Sequence, residues 1–277
     1  MIVFPNAKIN IGLDILRRRE DGYHEISTVM YPIGWCDILE IVPSNSGETT
    51  LTVTGNKVDC PAEKNLVMKA YRRISKECEV PASEIHLHKV IPDGAGMGGG
   101  SADAAYTLMV LNELYGLRKS KEELAELAKD LGADCPFFIY NEPMLAEGIG
   151  EKLSPVKLDL DGYGIFVIKP DFSISTGEAY SGVILSEPTQ HITERLSERI
   201  ENWKSNVKNA FVRHLSKKYT IIEEITTRLY EEGALYASMT GSGSAVYGIF
   251  ENSDKADMSR QIWQKKYDKW IFYSSKL

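Results

Sequence analysis

Five of the seven residues from Gly94 to Gly100 are glycine, in a chain of 277 residues that holds only 22 glycines in all. Glycine in such density is expensive in chain entropy. It is required only where the backbone takes a positive φ or where a Cβ would block a close approach. The cluster lies between Ile85–Val90, whose alternation predicts a strand, and Ala104–Leu114, a largely apolar stretch that predicts a helix. A strand–loop–helix junction turns successive N–H groups and the positive end of a helix toward one point, an arrangement that holds phosphate oxygens. A tightly turned surface loop that binds nothing is the alternative.

Elimination narrows the kind of phosphate binder. A Walker A loop needs Gly-Lys followed by Ser or Thr, and no Gly-Lys dipeptide occurs in the chain. His-Arg-Asp and Asp-Phe-Gly, the landmarks of protein kinases, are also absent. Gly94, Gly96 and Gly99 do satisfy G-x-G-x-x-G, so a dinucleotide-binding oxidoreductase has to be weighed. Against it, the acidic residues about twenty positions on, Glu122 and Glu123, fall in a predicted helix instead of at the end of a second strand.

Composition excludes broad classes. With 43% hydrophobic and 26% charged residues the chain matches ordinary globular protein, and its length predicts two domains. The formal net charge of −7 gives no basic face for nucleic acid. Cys36, Cys60, Cys78 and Cys135 form no C-x-x-C pair, so free thiols in a reducing cytosol are expected instead of a zinc or redox site. MIVFPNAKIN lacks the basic and apolar regions of a secretory signal, and the charge-free stretch from Gly233 to Phe250 is too rich in Gly, Ser and Thr to span a bilayer. A cytoplasmic protein is expected, monomer or homodimer.

From Ala7, Ile9, Ile11, Leu13 and Ile15 alternate with Lys8, Asn10, Gly12 and Asp14, the period of a half-buried strand whose polar face points off the core. With strands at Ile38–Val42 and Leu51–Thr54, the first sixty residues read as antiparallel sheet. Helices are expected over Leu66–Cys78, Lys121–Leu131 behind a Ser120/Glu123 capping box, Ile192–Trp203, Ile221–Leu229 and Asp254–Lys266, with strands at Ile165–Ile168, around Gly241–Gly243 and at Trp270–Tyr273. Pro155, Gly162 and Gly164 mark a change of texture, and the boundary is placed so that residues 1–158 form one domain and 159–277 the other. Arg17-Arg18-Arg19 reads as a solvated hairpin tip.

Three segments taken together resemble the GHMP kinases: Pro5-Asn6-Ala7-Lys8-Ile9-Asn10, Pro92-Asp93-Gly94-Ala95-Gly96-Met97-Gly98-Gly99-Gly100-Ser101-Ala102-Asp103-Ala104-Ala105, and Met239-Thr240-Gly241-Ser242-Gly243-Ser244. The opening motif, Asp21-Gly22-Tyr23-His24 and Gly132-Ala133-Asp134-Cys135-Pro136-Phe137-Phe138 are most similar to the branch that phosphorylates the 2-hydroxyl of 4-diphosphocytidyl-2-C-methylerythritol in the non-mevalonate route to isoprenoid precursors. The resemblance spans essentially the whole chain. It departs from the family pattern at Met97, Ala102, Cys135 and Ser238.

The resemblance implies an α+β, two-domain GHMP kinase fold with the active site in the interdomain cleft, using ATP and Mg²⁺ on a small-molecule substrate, without nucleic acid or membrane. It implies Asp134 as base and Lys8 as its partner, with Asn65, Lys89 and Pro92 through Ala102 around the nucleotide. For the substrate it points to Asn10, Tyr23, His24, Thr176, Tyr180 and Gly241, and Ser101 is the candidate metal contact. Each residue has a plainer reading. Asp134 before Pro136 and Asn65 before a helix suit N-caps, Ser101 and Asp103 suit a first helical turn, and Gly241 suits a tight hairpin. A homoserine- or mevalonate-type kinase and an inactive nucleotide-binding relative are the alternatives.

Overall fold

The computed structural model describes residues 1–58 and 60–277, and the chain passes five times between two units: 1–8, 35–93 and 98–142 make the first, and 9–34, 94–97 and 143–277 the second. In chain order the elements are β1 (Ile2–Val3), β2 (Asn6–Arg18), β3 (His24–Cys36), β4 (Ile38–Pro43), β5 (Thr50–Gly55), α1 (Leu66–Ile74), β6 (Ser83–Lys89), α2 (Gly99–Leu114), α3 (Lys121–Lys129) and α4 (Cys135–Tyr140). There follow β7 (Met144–Gly148), β8 (Lys152–Pro155), β9 (Gly164–Lys169), α5 (Thr176–Ser181), α6 (Ile192–Leu196), α7 (Trp203–Asn206), α8 (Val212–Leu215), α9 (Ile221–Glu231), β10 (Tyr236–Met239), β11 (Val246–Phe250), α10 (Ser253–Gln264) and β12 (Ile271–Lys276).

The first unit is a sheet of order β1-β4-β6-β5 with helices against it. β6 alternates cleanly, with Ser83, Ile85, Leu87 and Lys89 buried. β5 pairs with it in parallel, Leu51 opposite Ile85 and Val53 opposite Leu87, so the expectation of a wholly antiparallel start is corrected. The reason is connectivity: α1 intervenes between β5 and β6, and a helical crossover returns the next strand in the same direction. α2 packs against α1 and α4 and buries Ala102, Ala104, Ala105, Leu108 and Leu111. It begins at Gly99, earlier than the apolar run indicates, because the last glycines of the cluster join its first turn. At α3 the capping box forms as expected: the Ser120 hydroxyl accepts from Glu123 N–H at 3.2 Å, and the Glu123 carboxylate accepts from Ser120 N–H at 2.8 Å.

The second unit holds sheets of order β2-β3-β7-β8 and β10-β11-β9-β12. Its core gathers Phe166, Ile168, Ile222, Ile225, Leu229, Val246 and Trp263. The single helix expected over Ile192–Trp203 is broken. Ser197 turns its hydroxyl back onto the Glu194 carbonyl at 2.7 Å, and the chain resumes as a short 3₁₀ turn at Ile200–Asn202 before α7. Among the described residues no helix is long and apolar enough to cross a membrane, and the four cysteines are free.

β2 differs from the half-buried strand its alternation predicts. Every residue from Asn6 to Ile15 is buried, polar ones included. Such groups are tolerated inside only with partners, and they have them: Asp14 pairs with the Arg195 guanidinium of α6, itself buried. Midway along β2, Gly12 takes φ +68°, and a Cβ there would stand 2.5 Å from Ile192 Cδ1 and 2.8 Å from Val207 Cγ1. Gly12→Ala combines a left-handed backbone with overpacking and is expected to lower stability by about 1–3 kcal/mol, read as a lower urea midpoint at unchanged slope.

Candidate active site

In the first unit Lys8 Nζ lies 3.5 Å from Asp134 Oδ2, with the lysine side chain 4% exposed and the aspartate 34%. A buried ammonium thus faces a carboxylate that keeps contact with solvent. Asp134 stands at the N-cap position of α4 with Pro136 in the first turn, yet its side chain makes no capping hydrogen bond. The carboxylate is spent on Lys8 and not on the helix. Gly98 completes this corner. A Cβ on it would meet the Phe138 ring at 2.9 Å and Lys8 Cε at 3.3 Å, so only glycine lets the backbone lie against the lysine stem. Beside Asp134, burial pushes the Cys135 thiol up to about 12, against a Ser101 hydrogen bond that pulls it down, which leaves the thiol inert.

Gly98 is also the N-cap of α2, at φ 73° and ψ 16°, and no side chain caps this end. The first N–H groups of a helix have no intrahelical acceptor, so an uncapped N-terminus beside a lysine is an anion-binding corner. Ser101 stands in the first turn of α2 without being its cap, which is Gly98, and Asp103 lies beyond the first turn that a helix-dipole role needs. Asn65 does cap, its Oδ1 accepting from Val67 N–H at 2.9 Å at the start of α1. Lys89 is buried and holds two carboxylates at once, Asp37 Oδ2 and Asp103 Oδ2, the second at 2.6 Å. Burial alone would lower the Lys89 pKa, but the two carboxylates outweigh it and the net shift is upward. Pro92 is buried and Asp93 exposed.

In the second unit the front of the loop, Gly94 to Met97, is fastened to the β10–β11 turn. Thr240 Oγ1 donates to the Gly96 carbonyl at 3.1 Å, and Ala245 N–H donates to the Ala95 carbonyl at 3.3 Å. Gly96 has φ +74°, and a Cβ on it would stand 2.3 Å from the Thr240 carbonyl oxygen. Gly241, at φ +54°, is the reciprocal case, with a Cβ 2.9 Å from the Gly96 carbonyl oxygen. The turn is a tight hairpin, closed by Gly243 N–H to the Thr240 carbonyl at 3.0 Å. Asn10 joins it: its N–H donates to Thr240 Oγ1 at 3.0 Å, and its Nδ2 donates to Thr28 Oγ1 at 3.1 Å. Gly94, Gly96 and Gly98 thus answer three separate demands, since Gly94 at φ +62° faces Ser173.

His24 and Tyr180 stack at 4.8 Å with planes 22° apart, and Phe211 meets Tyr180 edge-on at 4.8 Å. Partial burial, and then Arg18, lower the His24 pKa, which favours the neutral imidazole. Thr176 is the first residue of α5, one turn before Tyr180, and Tyr23 is 61% exposed beside His24. The structure thus brings His24 and Tyr180 together, with Tyr23 and Thr176 in the same unit as their neighbours along the chain. Sequence reading missed the residues that hold the others in place. Thr240 and Thr28 fix Asn10, and Asn209 donates to the Met239 and Gly241 carbonyls at 2.8 Å each. Asn209 carries no sequence signal, whereas Thr240 lies inside a motif whose glycines drew the attention.

Among the described residues no group of three or more His, Cys, Asp or Glu is placed to hold a metal. Asp103 is engaged by Lys89 through Oδ2, while its buried Oδ1 has no hydrogen-bond partner. Burial pushes its carboxyl up to about 7, opposed by Lys89 and reinforced by Asp37. A folded-state pKa raised above the ordinary value of 3.8 favours folding fully below that value, and this contribution is lost as pH rises through about 7. Asp103→Asn removes the loss, so the melting temperature of the variant relative to the parent is expected to become more favourable as pH rises from about 4 to about 7, the window set by these values, in thermal scans. A difference that is flat with pH contradicts it.

Residues 65–142 match the model of the GHMP kinases N terminal domain, and residues 195–269 that of the GHMP kinases C terminal domain. The 4-diphosphocytidyl-2-C-methyl-D-erythritol kinase of Parabacteroides distasonis is 49% identical over 91% of this chain and 92% of its own. That of Azobacteroides pseudotrichonymphae is 47% identical over 91% and 94%. A crystal structure of 4-(cytidine 5'-diphospho)-2C-methyl-D-erythritol kinase, 31% identical, has a TM-score of 0.81 and covers 99% of this chain and 98% of that one. The chain belongs to the GHMP kinases and, among them, to the family of the 4-diphosphocytidyl-2-C-methyl-D-erythritol kinases.

Proposed function

We propose that the protein transfers a phosphoryl group from ATP to the 2-hydroxyl of 4-diphosphocytidyl-2-C-methyl-D-erythritol, a step toward isoprenoid precursors. The observation that carries this reading is the Lys8–Asp134 pair set against Gly98 at the uncapped start of α2. It puts a proton acceptor, a fixed cation and an anion-binding helix end in one corner, which are the parts phosphoryl transfer asks of a protein.

The residues fit the nucleotide and its metal. Gly98 brings the uncapped start of α2 against the Lys8 stem, and a Cβ on Gly100, exposed in the first turn of α2, would meet only Leu66 Cδ1 at 3.6 Å, which leaves that turn open to a ligand. Ser101 offers a hydroxyl in the same turn as a contact for Mg²⁺, whose other ligands would be phosphate oxygens and water. When bound, MgATP supplies the transferable phosphoryl and neutralises its charge. Asp134 accepts the hydrogen bond, and then the proton, of the 2-hydroxyl as its oxygen bonds phosphorus and the bridging P–O bond breaks. Lys8 holds that carboxylate in place and stabilises negative charge at the attacking oxygen. The glycine N–H groups and Ser101 orient phosphate oxygens, while Asn65 and Lys89 belong to the nucleotide side. Tyr23, His24, Thr176 and Tyr180 receive the cytosine, which offers a face for stacking and polar edges for the neutral imidazole. Asn10 and Gly241 border the acceptor. The proposed boundary at 158/159 falls between the two matched stretches.

The deciding experiment is a phosphorylation assay with ATP and 4-diphosphocytidyl-2-C-methyl-D-erythritol. Product carrying the new phosphate on the 2-hydroxyl is expected, and turnover of homoserine or mevalonate in its place would overturn the substrate assignment. Asp134→Asn is expected to lower kcat by about 10²–10⁴-fold with binding of a non-hydrolysable ATP analogue retained, as single-turnover kinetics and calorimetry would read. Gly98→Val drives a side chain into the Phe138 ring and Lys8, and is expected to weaken that binding by at least about tenfold, or about 1.4 kcal/mol. Undiminished affinity removes the loop from the phosphate site.

A further inference from the structure

Asp37 lies between β3 and β4, fully buried, in a part of the chain that no motif marks. Its Oδ1 accepts from two consecutive backbone groups, Val90 N–H at 2.6 Å and Ile91 N–H at 2.8 Å. These are the residues through which β6 runs into the glycine-rich loop. Its Oδ2 accepts from Lys89 Nζ, and the same ammonium donates to Asp103 Oδ2 in α2, the helix that leaves the loop. Ile91 and Lys89 also touch the first residue of that helix: a Cβ on Gly99 would stand 3.0 Å from Ile91 Cγ2 and 3.4 Å from Lys89 Nζ.

Two carboxylates share one ammonium in this node, and Asp37, Lys89 and Asp103 are at most 5% exposed. A hydrophobic trio of the same volume would pack without the desolvation that two buried acids demand, so stability is a weak reason for its presence. What the ions supply is direction. Asp37 fixes the strand end by two charge-assisted bonds and, through Lys89, fixes the helix by a third. The span from Ile91 to Gly99 is thereby held at its strand end by Asp37 and at its helix end by Asp103, with Lys89 joining the two carboxylates. We propose that Asp37 is a positioning residue for the phosphoryl donor: with Lys89 and Asp103 it sets the separation and angle at which the strand end and the α2 N-terminus present their N–H groups to phosphate. This rests on the reading of the loop as the phosphate site.

The test uses the full chain and the β,γ-imido analogue of ATP with Mg²⁺. Asp37→Asn keeps an oxygen for the two amides and turns N–H donors toward Lys89. Asp103→Ala cuts the helix from the node and leaves both amide bonds. Each is expected to weaken analogue binding by about tenfold, with the KM for the acceptor within about twofold of the parent, because the residues assigned to its cytosine, Tyr23, His24, Thr176 and Tyr180, lie in other segments of the chain. The double variant is expected to lose no more than the worse single one, since both cut the same link. Unchanged analogue affinity in the folded single variants, strictly additive losses, or equal losses for analogue and acceptor would overturn the proposal and leave the node a matter of folding only. Should Asp37→Asn fail to fold, Asp103→Ala carries the comparison of analogue with acceptor by itself. If the parent binds the analogue but phosphorylates no diphosphocytidyl substrate, the substrate assignment fails while the clamp is still read from binding.

Discussion

Backbone approaching closer than a Cβ permits is the constraint on which this structure turns. At Gly96 the chain lies against the Thr240 carbonyl, and at Gly98 it lies against the Phe138 ring and the Lys8 stem. Neither approach survives a methyl group. The first joins the glycine loop to the β10–β11 hairpin, and the second places the start of α2 beside the Lys8–Asp134 pair. The entropy of holding so many glycines is offset by a helix end that stays open and a lysine that can reach it. An isolated surface loop would gain neither.

Burying charge has a similar logic at three places. Asp14 with Arg195, Lys8 facing Asp134, and Lys89 with Asp37 and Asp103 each place at least one charged side chain away from bulk water. Such groups are weak evidence for stability, because desolvation consumes most of the Coulomb gain. Their geometry is informative in another way. Lys8–Asp134 leaves the acid partly open to solvent, which suits a group that has to meet a substrate, whereas the Lys89 node is closed and suits a brace.

Local patterns were readable wherever one residue's neighbours in sequence are also its partners. The Ser120–Glu123 capping box, the alternation of β6, the extent of α9 and the turn at Gly241 all depend on groups within a few positions. Patterns failed where a distant group took over. The alternation of β2 predicts a face toward water, but its lysine, asparagine and aspartate are buried against partners far along the chain. The helix expected over Ile192–Trp203 breaks after Leu196, and β5 turns out parallel because α1 carries the chain back in the same direction. Asp103 looked like a first-turn acid for a helix dipole and is a partner of Lys89 inside the helix instead.

By itself the sequence determined that a glycine-dense strand–helix junction exists, that Lys8, Asp134 and the Thr240–Gly243 segment accompany it in the order of a GHMP kinase, and that composition allows a globular two-domain chain. Those are matters of residue type and spacing along the chain. Only the tertiary structure decided that Asp134 turns to Lys8 in preference to capping α4, that His24 stacks on Tyr180, and that Asp37 holds the β6 end of the glycine-rich loop while sharing Lys89 with Asp103 of α2. The physical reason is that a carboxylate or an imidazole has several acceptable partners, local and remote. Which one it takes is settled by the packing that brings residues fifty or more positions apart, such as Asp37 and Lys89, within a hydrogen bond's length.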